Sequence, residues 1–188
     1  MMPSTLLFNR MGRAARLQSA LYEEVEADKT ATAQALLVVV LVSAAIGIGH
    51  GLEAWSISGA SRFIYGLVYG VSAAITGWLL WALFAYLLGV SILKGPQTSS
   101  TWGELLRTMG FASTPGLLRA LVFIPVVGGA IAFIGSVWRL IATIIAVRQA
   151  LDLSTWRGIV VTFIGWVLYM VLISLVRMLA NGITPTLF

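Results

Sequence analysis

Cysteine is absent from this 188-residue chain, and charged residues make up only 10% of it. Without cysteine there are no disulfides, no thiolate metal sites and no cysteine nucleophile. The chain has a single histidine, His50, which excludes a metal site built from several imidazoles. Because soluble domains carry about 25% charged residues, the low charge also excludes an ordinary water-soluble protein.

Apolar residues are abundant instead, at 59% of the chain, and the mean hydropathy is +0.95. Four runs without a charged residue approach or exceed the ~20 residues that span a bilayer as a helix; they cover residues 30–52, 63–93, 120–138 and 158–176. The sequence therefore predicts an all-α, polytopic transmembrane bundle in the cell membrane. We divide it into a cytoplasmic or interfacial segment, residues 1–30, and a transmembrane domain, residues 31–188.

The first segment, residues 4–28, has the pattern of one amphipathic helix. Apolar residues recur at spacings of three and four, while Arg10, Arg13 and Arg16 lie on another face. One interpretation places this helix at the headgroup boundary of anionic lipids, where the three arginines bind lipid. The other docks it on the bundle or on another protein, and the acidic residues at positions 23–28 favour this for its second half.

Five spans are expected in the transmembrane domain. The first runs from residue 31 to about 48 and ends at closely spaced glycines and the histidine: Gly47, Gly49, His50 and Gly51. The second covers about 63–92, the fourth 128–147 and the fifth 156–176. The third opens at a capping box formed by Thr101 and Glu104 and is expected to kink at Pro115.

Two stripes of small residues predict close helix packing in lipid. The stripe on the second span contains Gly66, Gly70 and Gly77, and that on the fourth contains Gly128, Ala132 and Gly135.

The basic residues predict a cytoplasmic N-terminus. With five spans, eight of them fall on the inner side: Arg10, Arg13, Arg16, Lys29, Lys94, Arg107, Arg148 and Arg157. Only Arg62 and Arg177 fall outside, and Phe188 ends on the side opposite the N-terminus. A re-entrant third helix is the alternative, and it divides the charges less unequally, seven against three or four.

Candidate catalytic groups are missing from the long apolar runs, which contain no acidic residue. An aspartyl dyad and a proton relay within the spans are therefore excluded, and we expect no enzymatic activity. His50 is interpreted as a histidine at the membrane boundary, with a haem or pigment ligand as the alternative. Otherwise no cofactor, metal or nucleic-acid partner is expected.

Arg119 and Arg139 are the most informative charged residues. Arg119 lies 12 residues (~18 Å) beyond Arg107, and Arg139 lies 9 residues (~14 Å) before Arg148, so both approach the middle of the bilayer. A guanidinium at that depth costs at least ~2.5 kcal/mol unless it reaches a phosphate, carbonyls or water. The carbonyls freed near Pro115 are candidate partners. Snorkelling and the binding of an anionic lipid or partner both remain open.

Several sequence words resemble prokaryotic members of the Yip (Ypt-interacting protein) family. They are Arg-Ala-Ala-Arg-Leu at 13–17, Tyr-Glu-Glu-Val-Glu-Ala-Asp at 22–28, residues 101–118 (TWGELLRTMGFASTPGLL), and Trp-Arg-Leu at 138–140. The resemblance implies five spans and a cytoplasmic N-terminus. Eukaryotic relatives bind small GTPases and shape membranes in vesicle traffic, but their Asp-Leu-Tyr-Gly-Pro word is missing here.

These observations favour a non-enzymatic membrane scaffold or adaptor. Its expected partners are membrane lipids, anionic ones above all, and other membrane proteins or a second copy of itself. Two alternatives are an accessory subunit of a respiratory or photosynthetic complex, holding a pigment at His50, and a transporter or channel.

Overall fold

The computed structural model describes residues 4–95, 98 and 100–183, and these residues form helices without any strand. The α-helices are α1 (Ser4–Ala15), α2 (Ser19–Ala27), α3 (Ala31–Ser58), α4 (Phe63–Leu87), α5 (Trp102–Ala112), α6 (Gly128–Ala150) and α7 (Thr155–Ile183). A π-helical turn, Leu88–Ile92, extends α4, and a 3-10 helix, Thr114–Leu121, follows α5. The all-α prediction is confirmed.

Four helical segments are long and apolar enough to cross a membrane: Ala31–Ser58, Ala60–Ile92, Gly128–Ala150 and Thr155–Val176. They correspond to the predicted first, second, fourth and fifth spans. The predicted third span is not among them, so the count of five is not confirmed by length and composition.

Helices α3 and α4 pack closely because glycines bring their backbones together. A Cβ atom on Gly70 would lie 2.7 Å from the Cα of Gly47, and one on Gly66 would lie 2.6 Å from the carbonyl oxygen of His50. These distances leave no room for a side chain. Since lipid supplies no hydrophobic force between helices, such close van der Waals contact is the main source of their attraction.

The predicted end of the first span near residue 48 is wrong, because α3 continues through the glycines to Ser58. Gly49 packs against the backbone of Arg119, and Gly51 packs against Phe63. These tertiary contacts offset the poor helix propensity of glycine. His50 is therefore an internal residue of α3 and does not lie at its end.

The predicted third span differs from expectation after its start. Thr101 and Glu104 form the predicted capping box, but the α-helix ends at Ala112 and a 3-10 helix begins at Thr114, so a kink within one continuous helix is not confirmed. Pro115 lacks an N–H group and clashes with a preceding carbonyl in an α-helix, which favours the change of helix type.

This broken segment lies along α3. Gly110 packs against Ala35, Gly116 against Val42, and the carbonyl of Arg119 against Gly49. Residue numbers at these contacts increase in the same direction along the broken segment and along α3. The segment therefore runs parallel to α3 and reaches beyond its midpoint.

The N-terminal segment forms two helices, whereas the sequence pattern predicted one. Leu17 adopts a left-handed conformation (φ 59°), and the N–H of Gln18 donates to the carbonyl of Arg13 at 3.1 Å. This is a helix-ending geometry, and it separates α1 from α2. The polar groups of the two helices are thereby brought together.

Both helices are docked on the bundle, as the second interpretation proposed. Their apolar face is buried in the core, and it consists of Leu7, Met11, Ala14, Leu21 and Val25, with Leu17 partly buried beside it. Trp138 of α6 donates its indole N–H to the carbonyl of Ala15 at 2.8 Å. Arg107 of α5 donates to the carbonyls of Val25 at 3.0 Å and Glu26 at 2.5 Å. The last two carbonyls belong to the C-terminal end of α2, which a positive charge stabilises.

Arg10 connects the two helices to the start of α3. It is only 4% exposed, and its guanidinium donates to Glu24 at 2.9 Å, Asp28 at 2.8 Å and Gln34 at 3.0 Å. Hydrogen bonds from Thr30 and Arg10 lower the pKa of Asp28 to about 2. Both carboxylates therefore stay charged at neutral pH and keep the buried arginine neutralised.

Glu26 behaves differently from these paired acids. Burial, and secondarily the negative charges of Asp152, Glu104 and Glu23, raise its pKa to about 7, although Arg107 opposes the shift. Glu26 thus favours its protonated form in the docked state.

We predict that docking of α2 weakens as pH rises from about 4.5 to 7. The pKa of Glu26 is higher in the folded protein than its ordinary value of 4.5, so its stabilising effect is complete below that value and is lost as pH approaches 7. Amide protection factors of α2 should fall over this range, and Glu26→Gln should remove the fall. An equal fall of the α2 protection factors with pH in the unmodified protein and in Glu26→Gln would contradict the prediction. Asp28 titrates near pH 2 and does not interfere.

We predict that Gly70→Leu destabilises the protein by about 1–3 kcal/mol, because the new side chain meets the α3 backbone and forces the helices apart. Gly129→Leu is a matched control, since Gly129 is exposed on α6 with no neighbour within 4 Å of its Cβ position. Thermal melting and oligomeric state in detergent measure the effect. An unchanged melting temperature of Gly70→Leu would show that the close contact between α3 and α4 does not contribute to the stability of the protein.

Candidate functional site

A cavity of about 520 Å³ lies between α3, α4, the Thr114–Leu121 helix, α6 and α7. Its polar side chains come from five different helical segments: His50, Tyr69, Arg119, Ser136, Arg139 and Tyr169. The rest of the lining is apolar. Its volume falls within the range of small-molecule sites in proteins.

Small residues on the facing helices leave this space open. Ala73, Ala74 and Gly77 of α4 line it, as do Gly116 and Gly135 on the opposite side.

Gly77 has a specific role, since a Cβ atom there would lie 2.9 Å from the hydroxyl oxygen of Tyr169. The absence of a side chain at position 77 lets the Tyr169 hydroxyl reach α4 from α7. The predicted small-residue stripe therefore shapes the cavity wall as well as the helix contacts.

Arg139 is the central residue of the 23-residue helix α6. Its guanidinium carbon lies 5.8 Å from the centroid of the Trp81 ring, a cation–π distance. Trp81 is held in place by α7, because its indole N–H donates to the carbonyl of Thr162 at 3.0 Å. The ring thus provides a fixed wall beside the charge but no negative group.

Arg119 enters the same cavity from the Thr114–Leu121 helix. Its Nε atom is buried and has no hydrogen-bond partner. Arg119 and Arg139 line the same cavity, so two positive charges share one enclosed space. Within the part of the chain that the structure describes, no carboxylate forms a salt bridge with either arginine. The cavity therefore concentrates positive charge.

The carbonyls freed near Pro115 do not supply the missing partners. Ser113 donates its hydroxyl to the carbonyl of Gly110, and Thr114 donates to that of Phe111, each at 2.6 Å. The expectation that these carbonyls would satisfy Arg119 or Arg139 is corrected by this local pairing. Short hydroxyl side chains satisfy such carbonyls without leaving their own turn.

His50 lies in the wall of the cavity, with its ring 6.2 Å from that of Tyr69 in an edge-on arrangement. Its Nδ1 atom lies 3.3 Å from the carboxylate of Glu53. This pairing gives His50 a polar setting within α3. A haem or pigment role for His50 stays a prediction.

The structure separates the three N-terminal arginines that the sequence groups as a lipid-binding face. Arg10 is buried in its ion pairs, and Arg13 pairs with Glu24 at 2.5 Å. Arg16 alone of the three is exposed. Attraction to an anionic lipid surface therefore concerns Arg16 most directly.

The small residues of α6 contact the segment before it. Gly128 packs against the carbonyl of Val122, and Gly135 packs against Leu118. Ala132 is half-buried between them on the same helix. These contacts place α6 beside the Thr114–Leu121 helix and bring Arg139 towards Arg119.

Sequence reasoning missed the aromatic members of the cavity. Neither Trp81 nor Tyr169 is among the site residues that the sequence predicts. They come from α4 and α7, which are far apart in sequence, so no local spacing connects them to the arginines. The nearest available signal is Gly77, whose missing side chain admits Tyr169.

Comparison with known protein families gives a match over most of the chain. A family profile for the Yip1 domain covers residues 18–176, from the end of the turn after α1 through most of α7. No curated protein and no solved structure shows a significant match to the chain. The matched segment contains every residue that lines the cavity. Because it extends over well more than half of the sequence, this multi-pass membrane protein belongs to the Yip1 domain family, as the sequence words predicted.

Proposed function

We propose that this protein is a non-enzymatic membrane scaffold or adaptor that holds an anionic group between Arg119 and Arg139. The group is a lipid phosphate or a carboxylate of a membrane partner. The observation that carries the proposal is the cavity itself, which is lined by both arginines and by no carboxylate of the described residues. The Yip1 family is not a known family of enzymes, which agrees with a binding role.

Electrostatics explains why an anion suits this site. Two positive charges at short range repel more strongly where water is scarce, and the buried Nε of Arg119 lacks a partner as well. A bound anion removes both costs, since guanidinium N–H groups match the oxygens of phosphate and carboxylate. Snorkelling towards water explains one arginine alone more readily than two that converge on one cavity.

The N-terminal helices supply a second contact with the membrane surface or a partner. They are docked through α5 and α6, and their exposed side presents Arg16 and the apolar Phe8. An exposed basic residue and an exposed aromatic ring in the same segment suit the headgroup region of anionic lipids, as well as a protein partner or a second copy of the chain.

The same proposal includes five passes with a cytoplasmic N-terminus. The segment formed by α5 and Thr114–Leu121 follows α3 from Ala35 to Gly49, a rise of ~21 Å along the helix axis. That distance is most of the ~30 Å hydrocarbon core. The turn after it returns the chain through α6, so this segment is proposed as the third crossing, which brings the total to five.

Five passes predict that the two ends of the chain lie on opposite sides of the membrane. Reporter fusions at the N-terminus and after Phe188, which lies outside the described residues, measure this directly. A cytoplasmic N-terminus and an external C-terminus are expected from the distribution of basic residues. Both reporters on one side would favour a re-entrant third segment instead.

For the site, we predict that Arg119→Gln and Arg139→Gln each weaken binding of the anionic lipid or partner about tenfold, because a charge-assisted hydrogen bond is lost. Lysine at either position should retain part of the binding, since it keeps the charge but not the bidentate geometry. Mass spectrometry of the protein purified in mild detergent measures what remains bound.

Arg148→Gln is the matched control, because Arg148 lies on α6 outside the cavity and contacts Gln149 and Thr155. Melting temperatures verify that all variants fold. If both cavity variants keep the same lipids and partners as the control, the arginines are only snorkelling. Solute flux through liposomes that depends on Arg139 would point to a transporter rather than a scaffold.

A further inference from the structure

We infer that the anionic group is the headgroup of a phospholipid that enters the cavity sideways from the bilayer, between α6 and α7. The inference rests on the proposed function and makes it more specific. It assigns the phosphate to Arg119 and Arg139 and one acyl chain to an apolar groove along α6.

The first observation is the composition of the cavity wall on this side. Phe133 and Val137 of α6 line the cavity yet are 70% and 41% exposed. Trp166 and Met170 of α7 line it as well and are also exposed. Both helices are long and apolar enough to span a membrane. Their exposed apolar side chains therefore face acyl chains, and the opening between them leads to lipid.

The second observation is an apolar groove of about 280 Å³ on α6. It is lined by Phe133, Ile134, Val137, Trp138 and Ile141. Phe133 and Val137 belong to the groove and to the cavity at once. A ligand can thus have its polar end in the cavity and an apolar chain in the groove without crossing a polar barrier.

The third observation is the chemistry at the inner end of this path. Two guanidinium groups and the Tyr169 hydroxyl are hydrogen-bond donors, and no acidic side chain lines the described cavity. A phosphate oxygen suits these donors. The trimethylammonium group of a phosphatidylcholine would meet two like charges, whereas phosphatidylglycerol brings none. The site therefore selects anionic over zwitterionic lipids.

The apolar groove beside the cavity also distinguishes a lipid from other ligands that carry an anionic group. Free phosphate gains nothing from the groove, and a carboxylate on a partner protein has to bring polypeptide to the opening between α6 and α7. A phospholipid uses both parts of the site. The acyl chain should therefore contribute to binding.

The test uses the full chain in nanodiscs containing equal amounts of dioleoyl phosphatidylglycerol and dioleoyl phosphatidylcholine, which carry the same acyl chains. Native mass spectrometry of the protein released from the nanodiscs should show phosphatidylglycerol retained at least about tenfold over phosphatidylcholine. Arg139→Gln should abolish the preference and Arg148→Gln should keep it. Val137→Trp, which fills the junction of groove and cavity, should reduce lipid retention with both arginines present.

A second measurement separates the lipid from free anions. The melting temperature of the delipidated protein in detergent is measured with inorganic phosphate, glycerol 3-phosphate and dioleoyl phosphatidylglycerol. The lipid should stabilise the protein at concentrations at least tenfold lower than either soluble anion.

Each remaining outcome has a definite meaning. Equal potency of phosphate and lipid, or a partner protein bound through Arg139 without lipid, would overturn the lipid inference and leave the proposed anion site standing. Normal lipid retention by Val137→Trp would overturn the sideways entry. Loss of every anion effect in the unmodified protein would overturn the inference and the proposed function together.

Discussion

Two positive charges that no carboxylate of the described residues neutralises impose the main constraint on this bundle. Arg139 lies at the centre of α6, and Arg119 approaches it from the broken segment before that helix. Apolar packing around such a pair would be costly, because neither charge could be solvated. The space left by Gly77, Gly116 and Gly135 removes that cost in part. The small residues of this chain thus line the space around the charges as well as the helix contacts.

Most acidic residues lie away from this cavity, and the exception is Glu53, which pairs with His50 in its wall. Of the seven in the chain, six lie on α2, at the start of α5 or in the turn before α7: Glu23, Glu24, Glu26, Asp28, Glu104 and Asp152. There they pair with Arg10 and Arg13 or approach Glu26 closely enough to alter its pKa. The described residues therefore form one region in which acidic and basic side chains pair and one, the cavity, in which Arg119 and Arg139 have no carboxylate partner. A binding role follows more naturally from this division than a catalytic one.

The two regions meet on one helix. Trp138 of α6 holds the end of α1, and the next residue, Arg139, faces the cavity. Successive residues of a helix point about 100° apart, so α6 contributes to both without conflict. The N-terminal helices and the cavity that contains Arg139 are therefore attached to the same helix.

Hydropathy and local signals were sufficient to predict the α-helical class, the starts of α3, α4 and α6 and the Thr101 capping box, since each depends on adjacent residues or on a run of apolar ones. The same signals failed where contacts between residues far apart in sequence determine where a helix ends. Glycines predicted an end to the first span at about residue 48, but the neighbours of Gly47, Gly49 and Gly51 allow α3 to continue. The pattern of residues 4–28 likewise gave no sign that Leu17 adopts a positive φ.

For the site, the sequence by itself determined that Arg119 and Arg139 lie deep in apolar segments without an acidic residue nearby along the chain. Counting residues from the charged ends of the helices is enough for that, because helical rise converts position into depth. Only the tertiary structure decided that the two face one cavity, with Trp81 and Tyr169 in its wall. Those residues meet through the packing of separate helices, and the rotation of one helix against another depends on all of their contacts together.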